Sequence, residues 1–136
     1  MNKLAILISA FIVSISSNAQ TLESKNHATI GFVNSNGTIE NSTHATTYYI
    51  KADGTIEDNN HGTIGYLKND GTIENQHHST IGFVRNNGTI ENNYHGTMGY
   101  IKEDGTVEDN NHGTIGYAKG IKPEWVAILY FFFKLD

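Results

Sequence analysis

Residues 54–70 read GTIEDNNHGTIGYLKND, and the fold class can be inferred from this stretch. Its two runs of β-branched and aromatic residues, 55–57 and 63–68, favour strands. Gly residues inside the stretch would each cost a helix about 1 kcal/mol, and its apolar positions lack the helical period. The stretch therefore predicts a β-hairpin.

The same stretch recurs every 17 residues without an insertion. One His and one Glu mark each of six units. The His residues are His27, His44, His61, His78, His95 and His112, and the Glu residues are Glu23, Glu40, Glu57, Glu74, Glu91 and Glu108. A single hairpin of this size cannot bury its apolar face, so neighbouring units must cover one another.

Two kinds of connection alternate along the repeat. Asn-Gly or Asp-Gly pairs, which are typical of tight hairpin turns, end at Gly37, Gly54, Gly71, Gly88 and Gly105. The other connection, such as residues 58–62, is polar and predicts a looser turn. The pattern predicts an all-β, quasi-symmetric ring of β-hairpins built from six 17-residue repeats. An open solenoid and five-fold closure are the alternatives, and a ring is favoured because it removes exposed edges.

A glycine also recurs inside the longer strand, at Gly31, Gly65, Gly82, Gly99 and Gly116. A strand glycine often marks a close backbone approach, so these residues predict tight packing at a shared axis. Tyr48 replaces the glycine once, next to Thr47 in place of Ile. The second unit is therefore expected to be irregular.

The chain divides into three segments. Residues 1–19 predict a signal peptide, because Lys3 precedes an apolar run and small residues precede a cleavage site at Ala19–Gln20. Residues 20–119 form the repeat domain. Residues 120–136 contain the run 126–133, which is apolar on both faces and predicts a capping strand, with an exposed anchor as the alternative. We therefore expect export to the periplasm or beyond, with no transmembrane segment in the mature chain.

Composition limits the classes of function. The 136 residues include no cysteine, so neither disulfides nor thiolate metal sites can form. The formal net charge of −5 and the lack of a basic patch argue against nucleic acid as a partner. No cofactor is expected.

The units of the type His-Gly-Thr-Ile-Gly-Tyr and Asp-Gly-Thr-Ile-Glu resemble a known family. So do the segment Asn18-Ala19-Gln20, residues 114–122 and the following Glu124, Trp125 and Phe run. Together they resemble the five-fold β-flower proteins, small exported proteins of Bacteroidota. The resemblance implies hairpins arranged like petals around a quasi-rotational axis, and it implies no established activity or site residue.

Three repeated series are candidate sites. The six His could converge on a metal ion such as Zn²⁺, or simply bond turn carbonyls. The Glu series could pair with the basic residues of the Lys68 type or act as catalytic carboxylates. The aromatic series could stack on a glycan or form core. Its members are Phe32, Tyr49, Tyr66, Phe83, Tyr100 and Tyr117.

An enzyme needs a unique, asymmetric set of groups, whereas this repeat duplicates nearly every polar residue. We therefore predict a non-catalytic exported structural or interaction module that is not an enzyme. The alternative is a ligand-binding protein that uses the His residues for metal or the aromatic residues for glycan, with a protein or glycan partner. A pH-responsive assembly of the six His is a third hypothesis.

Overall fold

The computed structural model describes residues 19–135, which form twelve antiparallel strands closed into a barrel. Each strand pairs with its neighbour in the chain, and β1 pairs with β12 to close the ring. The all-β ring of hairpins is confirmed, and closure uses six two-stranded units. The predicted signal peptide lies outside the described residues except for Ala19. Within residues 19–135, no helix is long and apolar enough to cross a membrane.

The strands are 4 or 5 residues long. They are β1 (Gln20–Ser24), β2 (Thr29–Val33), β3 (Thr38–Asn41), β4 (Thr46–Ile50), β5 (Thr55–Asp58), β6 (Thr63–Leu67), β7 (Thr72–Asn75), β8 (Thr80–Val84), β9 (Thr89–Asn92), β10 (Thr97–Ile101), β11 (Thr106–Asp109) and β12 (Thr114–Tyr117).

The turns at the two ends of the barrel share one geometry. In one turn, Lys51 N–H donates to Thr55 O at 2.8 Å and Gly54, at φ +93°, donates to Lys51 O at 2.9 Å. At the other end, Asp58 and His61 make the equivalent bonds at 2.9 and 3.0 Å, with His61 at φ +67°. The prediction of a looser second turn is wrong, because His takes the left-handed position that Gly takes at the opposite end.

Apolar side chains from every unit point into the barrel. The first strand of each two-stranded unit contributes one fully buried residue. These residues are Leu22, Ile39, Ile56, Ile73, Ile90 and Val107. The pairing between the two strands of each unit contains a register shift, for example between Ile56 and Glu57, which leaves one extra residue in the second strand. This extra residue, such as Ile64, packs against the same core. The bulge therefore adds one apolar side chain to the core.

The C-terminal segment is a helical plug rather than the predicted capping strand. It comprises α1 (Pro123–Ala127) and a π-helical turn (Ile128–Phe132). We call residues 121–135 the plug. Val126, Ile128 and Leu129 are at most 2% exposed inside the barrel. The strand prediction is wrong because a closed barrel has no free edge, so the backbone of an enclosed segment must satisfy its own hydrogen bonds.

The winding of the plug widens along its length. Val126 N–H bonds four residues back to Lys122 O, Phe133 N–H five back to Ile128 O, and Leu135 N–H six back to Leu129 O. An α-helix turns about 100° per residue, whereas neighbours in a ring of six lie about 60° apart. The wider winding reduces the rotation per residue toward the angle between neighbouring units, so that successive plug residues can face successive units.

Successive plug residues face successive units in reverse chain order. Tyr130, Phe131, Phe132, Phe133 and Leu135 lie against Gly116, Gly99, Gly82, Gly65 and Gly31. A Cβ atom added at Gly65 or Gly99 would approach the facing Phe ring within 2.7 Å. A Cβ atom there would also meet the carbonyl oxygen of Glu74 or Glu108 on the neighbouring strand, so these glycines make room for both the plug and the adjacent backbone, as the predicted close approach required.

The second unit reverses this arrangement. Tyr48 takes the glycine position, and its hydroxyl donates to the Lys134 carbonyl at 3.2 Å, while the Lys134 side chain is exposed. The wall supplies the aromatic ring here and the plug does not. The backbone of β4 keeps the common bounds and register, so the expected irregularity is confined to side chains.

Tyr130 also fastens the closing seam. Its hydroxyl lies 2.7 Å from Glu23 O on β1 and 3.1 Å from Tyr117 O on β12. Burial raises the pKa of Tyr130 to about 12. The phenol is thus a permanently protonated donor that joins the first and last strands.

Candidate functional site

The outer wall carries six copies of one side-chain cluster, which we call a facet. Each facet contains a Glu, the His four residues later and an aromatic residue from the adjoining strand. The facets are Glu23–His27–Tyr117, Glu40–His44–Phe32, Glu57–His61–Tyr49, Glu74–His78–Tyr66, Glu91–His95–Phe83 and Glu108–His112–Tyr100.

Local sequence explains how a facet forms. Tyr66 stands directly opposite Glu74 in the β6–β7 register, so both side chains leave the same face of the sheet. The left-handed turn at His78 then folds its imidazole back over that pair. The constant four-residue spacing therefore places Glu and His on either side of the same turn, where their side chains can meet.

The facet geometry is nearly constant around the barrel. The distance from His Nδ1 to Glu Oε1 is 2.8 Å in His27 and 3.0 Å in His95. The imidazole stacks on the aromatic ring at centroid distances from 4.1 Å at Tyr117 to 4.6 Å at Phe83. Because the carboxylate accepts this bond, Nδ1 of the imidazole carries a hydrogen in the five facets without Arg85. At His95, the Arg85 Nη2 atom, which can only donate, also lies 2.9 Å from Nδ1. Each His is thus fixed by a hydrogen bond and a stacked ring.

Four facets gain a basic residue, as the sequence predicted for the Glu series. Lys51, Lys68 and Lys102 place Nζ 3.8–3.9 Å from a carboxylate oxygen of Glu57, Glu74 and Glu108. In the fourth, Arg85 Nη2 lies 2.8 Å from Glu91 Oε1. The Arg85 hydrogen bond, with a smaller contribution from His95, lowers the pKa of Glu91. Such exposed pairs stabilise a protein only slightly.

The structure does not bring the six His together. Each belongs to a separate facet, and His61 is representative with 64% of its side chain exposed. Among residues 19–135, no three His, Asp or Glu side chains form a group that could hold a metal ion. The series predicted as possible metal ligands thus consists of turn residues, each with its own carboxylate.

The repeated aromatic rings are not open stacking platforms. In every facet, one ring face is covered by a near-parallel imidazole, with interplanar angles from 8° at Tyr100 to 16° at Tyr49. The series is also not core, because these rings are half-buried on the outer wall. The sequence indicated a structural role for the His and aromatic series but could not show that they stack on each other.

Sequence reasoning assigned no role to one unduplicated residue that the structure singles out. Tyr94 lies at the tip of the β9–β10 turn, and 85% of it is exposed. It stands outside the repeated aromatic series. Its departure from the repeat was the available signal, because the equivalent positions carry Asn26, Thr43, Asn60, His77 and Asn111.

The chain matches a family model described as 5-fold beta-flower protein over residues 19–134. The chain belongs to this family. Six units close this beta-flower barrel although the family description names five-fold symmetry. Only five Asn/Asp-Gly turns are present in residues 19–135, because the sixth position is the seam between the chain ends.

At the seam of this beta-flower barrel, Gln20 Nε2 donates to Gly120 O at 2.9 Å, where the other units have a turn. Neither the curated proteins nor the solved structures include a significant match to the chain. The family assignment therefore supports the fold, and the biological role has to be inferred from the geometry of the structure.

Proposed function

We propose that this beta-flower protein is a non-catalytic, exported structural or interaction module. The observation that carries the proposal is the duplication of its polar chemistry. The same Glu–His pair occurs in all six units with nearly the same geometry. Catalysis needs acid, base and electrophile in distinct roles, and identical clusters on separate facets do not differentiate them.

The filled interior supports the same conclusion. The plug occupies the space that a barrel of this size could offer to a ligand, and its buried residues are apolar. The buried part of residues 19–135 contains no polar or charged side chain. The grooves around α1 are open and lined by turn residues such as Asn69, Asp70 and Asn86. Chemistry would have to occur on the exposed surface.

A panel of chromogenic esters, phosphates, glycosides and peptides tests the absence of catalysis. We expect the purified mature chain to turn over none of them above a heat-denatured sample. Glu57→Gln and His61→Asn, which alter one facet, provide the matched variants. Any turnover above the heat-denatured sample would contradict a non-catalytic role, and a partial loss in either variant would assign that turnover to the facets.

Export is the second part of the proposal. It rests on the positive start, the apolar run and the small residues before Gln20. Expression of the full chain in a Gram-negative host, followed by fractionation and intact mass measurement, tests it. We expect a periplasmic or secreted species that begins at Gln20, whereas an intact Met1 species confined to the cytoplasm would contradict export.

A further inference from the structure

One end of the barrel presents a row of exposed polar turn tips. The tips of four consecutive His-type turns carry residues 59–60, 76–77, 93–94 and 110–111, and we call these four tips the amide arc. All eight residues are exposed. Six of them are Asn or Gln, and the other two are His77 and Tyr94. Because successive units are adjacent in the barrel, the four tips lie side by side on one rim.

Tyr94 is the aromatic centre of the amide arc. Its phenol ring stacks on no other ring within residues 19–135, unlike the six facet rings. The turn beneath it is held by bonds from Tyr94 N–H and Gly96 N–H to Asn92 Oδ1, each 2.9 Å long. Because these bonds fix the backbone of the turn, a ligand that stacks on the ring has to order only the Tyr94 side chain.

The carboxamides around Tyr94 keep their hydrogen-bonding groups available. Within the described residues, the side chains of Asn59, Asn60, Asn93, Asn110 and Asn111 make no hydrogen bond to protein. Gln76 makes only a long contact of 3.4 Å with His77. A carboxamide offers donors and an acceptor together, as the hydroxyl groups of a sugar require.

The charge of the rim favours a neutral ligand. The eight residues of the amide arc include no Lys, Arg, Asp or Glu. At its base, Asp58 and Asp109 accept backbone N–H bonds of 2.8–2.9 Å and add negative charge. A polyanion would be repelled from this rim.

We propose that the amide arc is a binding site for a neutral oligosaccharide, with Tyr94 as the stacking residue and the flanking carboxamides as hydrogen-bonding partners. The inference rests on the proposed interaction role and gives it a ligand class. It also moves the glycan hypothesis away from the repeated aromatic series, whose faces are covered by imidazoles, to a ring outside that series.

The test uses the mature chain and an array of neutral hexasaccharides, including maltohexaose, cellohexaose, xylohexaose and chitohexaose, with hexagalacturonate as the acidic probe. We expect at least one neutral probe to bind more tightly than hexagalacturonate. Titration calorimetry should then give a dissociation constant about tenfold weaker for Tyr94→Ala, and little changed for Tyr94→Phe, which keeps the ring.

Tyr66→Phe is the matched control, because Phe32 and Phe83 already occupy that facet position. It should bind the probe like the unchanged chain, and all variants should melt alike because Tyr94 is exposed. Absence of binding to every neutral probe, preference for hexagalacturonate, or equal binding by Tyr94→Ala would overturn the proposal. Release of reducing ends from a bound probe would instead contradict the non-catalytic role and leave the site intact.

Discussion

The wall of the barrel repeats its sequence, whereas the plug repeats only its contacts. Residues 20–119 return to the same residue types every 17 positions. The plug runs Tyr-Phe-Phe-Phe-Lys-Leu over residues 130–135 without any such period, yet its successive residues meet successive units. A segment that winds around the axis of a ring contacts one unit after another. A step of one residue in the plug therefore corresponds to a step of one unit, or 17 residues, in the wall.

The difference between wall and plug has an energetic consequence. Each facet contacts only its own and the adjoining unit, so facets should contribute separately to stability. The plug contacts every unit at once, through five glycines and Tyr48. Damage to the plug should therefore affect the whole barrel.

Removal of the plug is expected to have the largest effect. A chain that ends at Gly120 loses Val126, Ile128 and Leu129, and full burial of each such side chain contributes about 1.5–3 kcal/mol. Since domains are stable by only about 5–15 kcal/mol, we expect no cooperative thermal transition by circular dichroism. A truncated chain that melts cooperatively near the temperature of the complete chain would show that the wall closes without the plug.

Exchange of partners in the second unit tests the pairing of plug and wall. Tyr48→Gly should lower the free energy of unfolding by about 2–4 kcal/mol, because it leaves a cavity opposite Lys134. Adding Lys134→Phe should recover much of this loss, with a coupling of about 0.5–3 kcal/mol in urea denaturation.

Lys134→Ala is the control for the exchange, and it should change stability by less than about 0.5 kcal/mol because the Lys134 side chain is exposed. If the double variant were as unstable as Tyr48→Gly alone, the correspondence of one plug residue to one unit would fail at this position.

A single facet should matter less than the plug. His78→Ala removes the stack on Tyr66 and keeps a Cβ atom at φ +66°. The left-handed strain is already present with His, so the loss is that of the stack and of the bond to Glu74, about 1–2 kcal/mol. His78→Gly relieves the backbone strain and should cost less, as measured by the urea midpoint. If both variants lowered the urea midpoint equally, the left-handed backbone at this position would not be strained for residues other than glycine.

The smallest effect is expected at the Asp-Gly turns. Backbone N–H groups of Thr55, Thr72 and Thr106 lower the pKa values of Asp53, Asp70 and Asp104. Their stabilisation is therefore present above the usual Asp pKa, about 4, and lost as the pH falls through the lower folded-state values. Changing all three to Asn should flatten the fall in melting temperature below about pH 4.

Asn36 and Asn87 already accept the equivalent bond at 3.0 Å in the remaining two turns, so the triple variant should fold. An unchanged acid dependence in the triple variant would show that these carboxylates do not set the acid limit of the barrel.

The elements and their order could be predicted from sequence because they depend on local chemistry. Residues of the Thr-Ile-Glu type mark strands, and left-handed Gly residues such as Gly71 end the turns between them. The turn at His61 was harder to predict, since a His with positive φ is uncommon and its stacking partner lies on the preceding long strand. Tyr94 was visible as an exception to the repeat, but its exposure was not.

An all-β repeat with a constant register follows from the amino-acid sequence alone, because a 17-residue period and paired turn signals act within each unit. The closure of six units, the helical form of the tail and the separation of the His residues instead follow from three-dimensional packing. Those features depend on the space that the closed wall encloses and on which backbone groups it leaves unpaired. The same enclosure explains why a tail that is apolar on both faces becomes the core of the barrel.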